Sequence, residues 1–358
     1  MPSKLLFDRS SESSETEAFK GTDGSKLDYQ NVISPIIISA SRATDIPKWY
    51  ADWFINRLKK GYLIWVNPFN QNYRQKVSFD KVQVVVFWSK DPKPLMKYLD
   101  FIDSQKIGYY FQFTLNDYEK EGLEPKLPSL ESRIQTFIAL SEKIGREKVI
   151  WRFDPLILSD SLSVQELLSR IEKIGSQISN YTEKLVISFV DIDEYNLVKK
   201  RLQKKDMSYR EFSSKEKLEI IKGLNNLNKK WGITIATCAE DWPPDIPFQD
   251  YNIIPNRCID DGLLKRLFPK NQKLMEFLGV ERCYQTPLFE NLPQRENPLK
   301  DKSQREKCGC ILSKDIGQYE TCMHLCTYCY ANKWDKKVRN RYDRYCQGNQ
   351  SEESIADY

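Results

Sequence analysis

Val82-Gln-Val-Val-Val-Phe-Trp88, followed at once by Ser89-Lys90-Asp91-Pro92, is the stretch that decides the fold. Its β-branched and aromatic residues read as a strand, and the polar break with its proline starts a new element. The run is nearly continuous in apolar character, which marks a parallel strand covered on both faces. Residues 93–105 then show helical periodicity, and 109–115 is a second apolar run. The unit is strand, helix, strand.

The same alternation extends both ways. Short apolar runs at 36–40, 62–66, 148–153, 185–190 and 232–237 predict further strands, and 48–60, 129–144, 164–176 and 213–230 predict helices. Six or seven such units predict an α/β fold, a full or partial (β/α) barrel of parallel strands. In this reading residues 1–30 form a polar tail, 31–240 the barrel, and 241–358 a Cys-rich C-terminal region that completes it.

Polar residues collect just past the strand ends, where such a barrel places its chemistry. Ser39, Ser41, Arg42, Thr44 and Asp45 follow the first run, Ser89-Lys90-Asp91 the run at 82–88, and Asn116-Asp117 the run at 109–115. Arg152 and Asp154 close the run at 148–153, and Asp191 follows 185–190. Asp45 and Asp91, close ahead of prolines, read as helix caps. Lys90 and Arg152 do not, because a cation at a helix N-terminus opposes the dipole. They read as anion holders at a shared mouth.

With 40% hydrophobic and 12% aromatic residues among 358, the chain has material for a full core. Its first residues show no charged segment leading into an apolar stretch, and its apolar runs are too short for a bilayer. The expectation is a cytoplasmic protein without membrane contact, whose thiols stay reduced. The net charge of +5 is compatible with a polyanionic partner without requiring one. Basic residues concentrate in Lys333-Trp-Asp-Lys-Lys-Val-Arg-Asn-Arg-Tyr-Asp-Arg344. A solvated helix face paired with Asp335 and Asp343 is the first reading. A nucleic-acid patch is the second, because Trp334, Tyr342 and Tyr345 are interleaved. The single histidine, His324, excludes multi-histidine zinc catalysis and iron sites built on two histidines.

All nine cysteines follow the last predicted strand. The densest group is Cys322-Met-His-Leu-Cys326-Thr-Tyr-Cys329, spaced C-x-x-x-C-x-x-C. In a reducing compartment such a group reads as a metal or redox site. Three thiolates leave one coordination position open, as a catalytic centre needs. One reading gives Cys322, Cys326 and Cys329 a four-iron four-sulfur cluster whose free iron chelates S-adenosylmethionine. The cluster's electron then splits a carbon–sulfur bond to give a deoxyadenosyl radical. Lys90 and Arg152 are partners for the cosubstrate carboxylate in that case. The other reading is a non-catalytic, nucleic-acid-binding zinc ribbon of Cys308, Cys310, Cys326 and Cys329. It leaves Cys322 unused and the barrel without a task. Cys238, Cys258, Cys308 and Cys310 form a candidate second site, for structural zinc or an auxiliary iron–sulfur cluster, with a plain cysteine core as the alternative.

At these residues the chain resembles the radical S-adenosylmethionine enzymes, whose signature is this triple with an aromatic, here Tyr328, before the last cysteine. Within them it bears a closer resemblance to the spore photoproduct lyase branch. Cys322-Met-His-Leu-Cys326-Thr-Tyr-Cys329-Tyr330 resembles that branch's cluster loop, Ser89-Lys90 its Thr-Lys, and Thr44-Asp45-Ile46 its Ser-Asp-Ile. The resemblance implies that Lys90 binds the carboxylate of S-adenosylmethionine, helped by Thr44, Ser39 or Ser41. It also implies an electron donor (a reductase, flavodoxin or ferredoxin) and an unassigned substrate, with nucleic acid among the candidates. The chain also resembles an uncharacterised bacterial family with its cysteine triple at the C-terminus. In enzymes of the branch the cluster loop follows the first barrel strand; here it comes last, which implies a circular permutation. The strand feeding it, expected at 310–313, would then lie beside 36–40.

Overall fold

Eleven strands follow one another among the described residues: β1 (Val32–Ile33), β2 (Ile37–Ala40), β3 (Tyr62–Val66), β4 (Arg74–Ser78), β5 (Val84–Ser89), β6 (Gly108–Thr114), β7 (Val149–Leu156), β8 (Lys184–Phe189), β9 (Thr234–Thr237), β10 (Ile253–Pro255) and β11 (Lys314–Asp315). The computed structural model describes residues 31–192, 195–205, 208–240, 248–280, 299–348, 350 and 352–358. The tail expected at 1–30 and Cys283 lie outside the described residues.

Eight strands form one sheet in the order β10-β9-β8-β7-β6-β5-β2-β11. Every neighbouring pair is parallel. From β2 to β10 the order moves in one direction, so right-handed crossovers put the connecting helices on one face. That face carries Phe87, Phe111, Phe113, Trp151 and Ile187, which share a core with Phe54, Phe137, Ile171 and Ile221 from the helices. The opposite face carries Val84, Val86, Tyr110, Ile150 and Val186, and packs against Ile259, Leu264, Leu274 and Ile311. The continuous apolar runs therefore do mark strands buried on both sides. Helices cover one side and the C-terminal region covers the other.

The connecting helices begin and end where local chemistry dictates. Ser213 and Glu216 form a capping box at the start of Ser214–Trp231, and Gly232, at φ 63°, ends that helix in the left-handed conformation. The helix expected at 48–60 breaks at Tyr50 into Ile46–Trp49 and Ala51–Lys60. The buried Tyr50 hydroxyl donates to the Thr321 carbonyl at 2.9 Å, tying this break to the cysteine loop.

The run at 62–66 is a strand, yet it is not part of the large sheet. As β3 it pairs antiparallel with β4 and belongs to a separate three-stranded sheet, β1-β4-β3. β11 pairs parallel with β2, Lys314 opposite Ile38 and Asp315 opposite Ser39, a few residues later than expected. The edge strands β10 and β11 are not paired with each other among the described residues. Ile311 N–H donates to the Ile259 carbonyl at 3.1 Å, joining the segment after β10 to the segment before β11. Among the described residues no helix is long and apolar enough to cross a membrane.

Candidate functional site

The cysteine triple lies on a loop pinned from several sides. Leu325, at φ 53°, turns the chain between Cys322 and Cys326. Asn332 Nδ2 donates to the Cys322 carbonyl at 2.7 Å, Thr327 N–H to the Leu123 carbonyl at 2.9 Å, and Cys329 N–H to the Cys326 carbonyl at 3.0 Å. Ahead of the loop, Thr321 Oγ1 meets Thr44 Oγ1 at 2.7 Å, and Thr44 also donates to the Gln318 carbonyl at 2.8 Å. The loop after β2 thereby fixes the start of the cysteine loop.

Asp45 is the hub beneath it. It caps the helix Ile46–Trp49 by accepting from Lys48 N–H at 3.0 Å, as a cap should. It also accepts from Ser89 Oγ at 2.7 Å and Lys90 N–H at 2.7 Å, and it pairs with His324 Nε2 at 2.6 Å. One carboxylate thus locks together the ends of β2 and β5 and the interior of the cysteine loop.

Lys90 projects from that hub beside Cys326. Its Nζ is 2.6 Å from Glu124 Oε1 and 3.0 Å from the Tyr328 hydroxyl. Tyr328 itself donates to Glu124, and Asn116 Nδ2 reaches the same hydroxyl at 3.2 Å. Burial is the largest influence on Lys90 and would lower its pKa, but Glu124 and Cys326 together hold the amine above its usual value. Burial would likewise raise Glu124, and Lys90 and Arg133 hold it below the usual carboxylate range. Both groups are charged. The thiols are the reverse: burial pushes Cys322 up to about 12, Cys326 well above its ordinary value, and Cys329 upward. Neutral thiols surrendering protons to a metal is the usual route to such a site.

The three hydroxyls expected near a cosubstrate are buried and engaged. Ser39 Oγ donates to Asp315 Oδ2 at 2.6 Å across the β2–β11 pair. Ser41 Oγ accepts from Ala43 and Thr44 N–H at 3.0 and 3.3 Å. With Thr44 they shape the loop that carries Asp45. Arg152 lies on the face of the sheet covered by Ile259, Leu264, Leu274 and Ile311. Its Nε donates to Asp154 Oδ2 at 3.0 Å, and its Nη1 reaches Gln112 Oε1 at 3.2 Å and Cys258 Sγ at 3.1 Å. Lys90 and Arg152 both act on Asp154, whose carboxyl they help hold below the usual carboxylate range, while Arg152 also donates to Cys258 and Lys90 pairs with Glu124.

The cysteines sort by neighbour. Cys322, Cys326 and Cys329 sense one another's charge. Cys258 contacts Cys238 and Cys310, and Cys310 contacts Cys308. The Cys308–Cys310 pair is thus packed against Cys258 rather than against Cys326 and Cys329. Cys346 is exposed on the helix Asp335–Gln347. That helix also bears a shallow surface concavity lined by Trp334, Lys336, Lys337, Asn340, Arg341 and Arg344, to which no cysteine contributes.

The donor set of the triple suits an iron–sulfur cluster. Three mutually interacting thiols lie on one loop, Lys90 acts on Cys326, and two buried polar atoms, Glu124 Oε2 and His324 Nδ1, have no hydrogen-bond partner. Among the described residues no three His, Cys, Asp or Glu side chains stand at the spacing of ligands to a single ion. Ligands of a cubane stand farther apart than that, one at each of several corners. Glu124 escaped the sequence reading, because the loop holding it shows no periodic pattern. Asp45 had a signal beyond its cap, in the triplet Thr44-Asp45-Ile46.

No curated protein matches the chain. Among solved structures, one titled "Crystal structure of a putative alpha-L-fucosidase from Bacteroides thetaiotaomicron VPI-5482" aligns over 95% of this chain and 99% of that one. Its identity is 12% and its TM-score 0.26, too low for any argument about fold or activity. The family described as "Domain of unknown function (DUF1848)" matches residues 37–331, from the start of β2 to just past the cysteine triple, and the chain belongs to it.

Proposed function

We propose that the chain is a radical S-adenosylmethionine enzyme, with Cys322, Cys326 and Cys329 as ligands of a four-iron four-sulfur cluster. The observation that carries this reading is the position of Lys90, whose ammonium lies beside Cys326 and within 3.0 Å of the Tyr328 hydroxyl. Such a cluster, once bound, supplies the electron that breaks a carbon–sulfur bond of the cosubstrate. The chain's own part is binding and orientation. Lys90 exchanges Glu124 for the cosubstrate carboxylate, a charge-assisted contact of the strong kind. Glu124 holds the ammonium charged and extended until then. Asp45 fixes both the backbone of Lys90 and the imidazole of His324, so the cation and the cysteine loop keep one spacing.

The pairing of β11 with β2 supports the finer reading of a permuted, partial barrel, in which the last strand takes the place of the first. A second reading, the zinc ribbon, draws no support from the contacts of Cys308 and Cys310.

Anaerobic reconstitution with iron and sulfide, then reductant and S-adenosylmethionine, tests the reading by the release of deoxyadenosine. Wild-type protein should release it, and the Cys326→Ala variant should not. Equal release from both, or none from either despite bound iron and sulfide, removes the proposal.

A further inference from the structure

Four thiols outside the triple gather from three separate parts of the chain. Cys238 follows β9, Cys258 follows β10, and Cys308 and Cys310 precede β11. Cys238 Sγ and Cys258 Sγ are 3.6 Å apart. Cys310 interacts electrostatically with both Cys258 and Cys308, which places the four thiols in one group.

Donors converge on this group. Arg152 Nη1 and Asn256 Nδ2 reach Cys258 Sγ at 3.1 and 3.2 Å, and Ile259 N–H reaches Cys310 Sγ at 3.5 Å. Arg42 lies within electrostatic reach of Cys310, and its Nη1 stands 3.8 Å from Asp315. Its Nη2 is buried with no hydrogen-bond partner. Neutral thiols explain this poorly, because they are weak acceptors and a buried cationic donor left short of acceptors is costly. Four thiolates on a divalent ion carry a net charge of about −2 and accept such hydrogen bonds well. Two guanidinium groups are what that charge calls for.

Spacing separates one ion from a cluster. A tetrahedral zinc with sulfurs at about 2.3 Å holds them about 3.8 Å apart, close to the Cys238–Cys258 separation of 3.6 Å. Thiolates on a cubane stand wider. As the side chains lie, no three converge on one point. Turning a thiol about χ1 relocates its sulfur without moving the backbone, and that is the adjustment a bound ion requires of this group.

We propose that Cys238, Cys258, Cys308 and Cys310 bind a single zinc ion, with Arg152, Arg42 and Asn256 donating hydrogen bonds to its thiolates. The ion fastens the segment after β10 to the segment before β11, where Ile311 and Ile259 already meet. This site is independent of the cluster proposed for the triple.

Metal analysis of the full-length protein tests it. About one zinc per chain is expected in the wild type and in the variant with Cys322, Cys326 and Cys329 all replaced by alanine. Cys258→Ser and Cys310→Ser should each lose most of it. Zinc retained in both serine variants overturns the site, as does a metal-free wild type with Cys238 and Cys258 joined in a disulfide. Iron with sulfide in the triple-alanine variant overturns the single ion in favour of a second cluster. Should the serine variants fail to fold, cobalt(II) exchange into the wild type still decides. Intense thiolate-to-cobalt charge-transfer bands with tetrahedral d–d bands are expected, and a spectrum without them overturns the site.

Discussion

Lys90 and Glu124 are ion-paired at 2.6 Å, 34 positions apart in sequence, beside the thiol of Cys326. Both are nearly buried, with side-chain exposures of 16% and 4%, so neither charge is comfortable alone. In such a pair, loss of one partner strands the other. Glu124→Ala should therefore destabilise the fold by about 3 kcal/mol, read by chemical denaturation. Lys90→Ala should weaken S-adenosylmethionine binding by roughly 10- to 100-fold, the worth of one charge-assisted hydrogen bond. Iron content should not change. Equilibrium dialysis with the reconstituted protein measures this, and unaltered affinity would remove Lys90 from the cosubstrate site.

Asp45 carries a second expectation. It serves Lys48 N–H, Ser89 Oγ, Lys90 N–H and His324 Nε2 at once. Replacement by alanine leaves those buried donors without an acceptor, at about 1–3 kcal/mol for each one stranded. Asp45→Asn keeps an acceptor oxygen, and should recover part of the loss in thermal stability. Because His324 lies between Cys322 and Cys326, Asp45→Ala should also reduce iron retained after gel filtration. Retention equal to wild type would show that the cysteine loop holds its shape without this anchor.

How far the sequence foretold this structure depends on where each element draws its stabilisation. The runs that became β5, β6, β7 and β8 are apolar on both faces, because helices cover one side and Ile259, Leu264, Leu274 and Ile311 the other. Short length, β-branched and aromatic content and polar or proline breaks at the ends reveal such strands. Lys314-Asp315 is polar and two residues long; its strand geometry comes from pairing with Ile38 and Ser39, which no local pattern encodes. Tyr62–Val66 has a strong strand signal, yet nothing within it says that Arg74–Ser78 would draw it into a second sheet. The cysteine triple is legible because its ligands are close in sequence. Glu124 is not, since its role exists only once Lys90 is beside it. The contact of Cys258 with Cys310 likewise depends on a segment folding back across the sheet.

Gly317 marks a tight approach between β11 and the loop after β2. A Cβ built there would overlap Ser41 Oγ and Cβ and lie 3.1 Å from Asp315 Oδ1. Ser41 cannot retreat freely, because its hydroxyl accepts from Ala43 and Thr44 N–H. Gly317→Ala should cost about 1–3 kcal/mol, the usual penalty for overpacking. Gly232→Ala, a helix-terminal control with open space around its Cβ but φ 63°, should cost about 1 kcal/mol. If denaturation ranks Gly232→Ala as the worse of the two, the packing around Ser41 is looser than described.

Glu240 gives the fold a dependence on pH. Burial pushes its pKa from an ordinary value near 4.5 up to about 7, against a hydrogen bond from Phe189 N–H and the pull of Lys217. The folded state therefore binds this proton more tightly than the unfolded chain does. Its contribution to stability is full below about pH 4.5 and is lost as pH rises through 7. The loss is at most about 3 kcal/mol, from the pKa difference at 1.36 kcal/mol per unit. Glu240→Gln keeps a neutral acceptor for Phe189 and cannot ionise, so its stability should fall less than wild type between pH 5 and 8. Urea denaturation of both proteins at those two values measures the difference. Parallel losses would mean that the carboxyl of Glu240 reaches water in the folded protein and titrates as an ordinary glutamate.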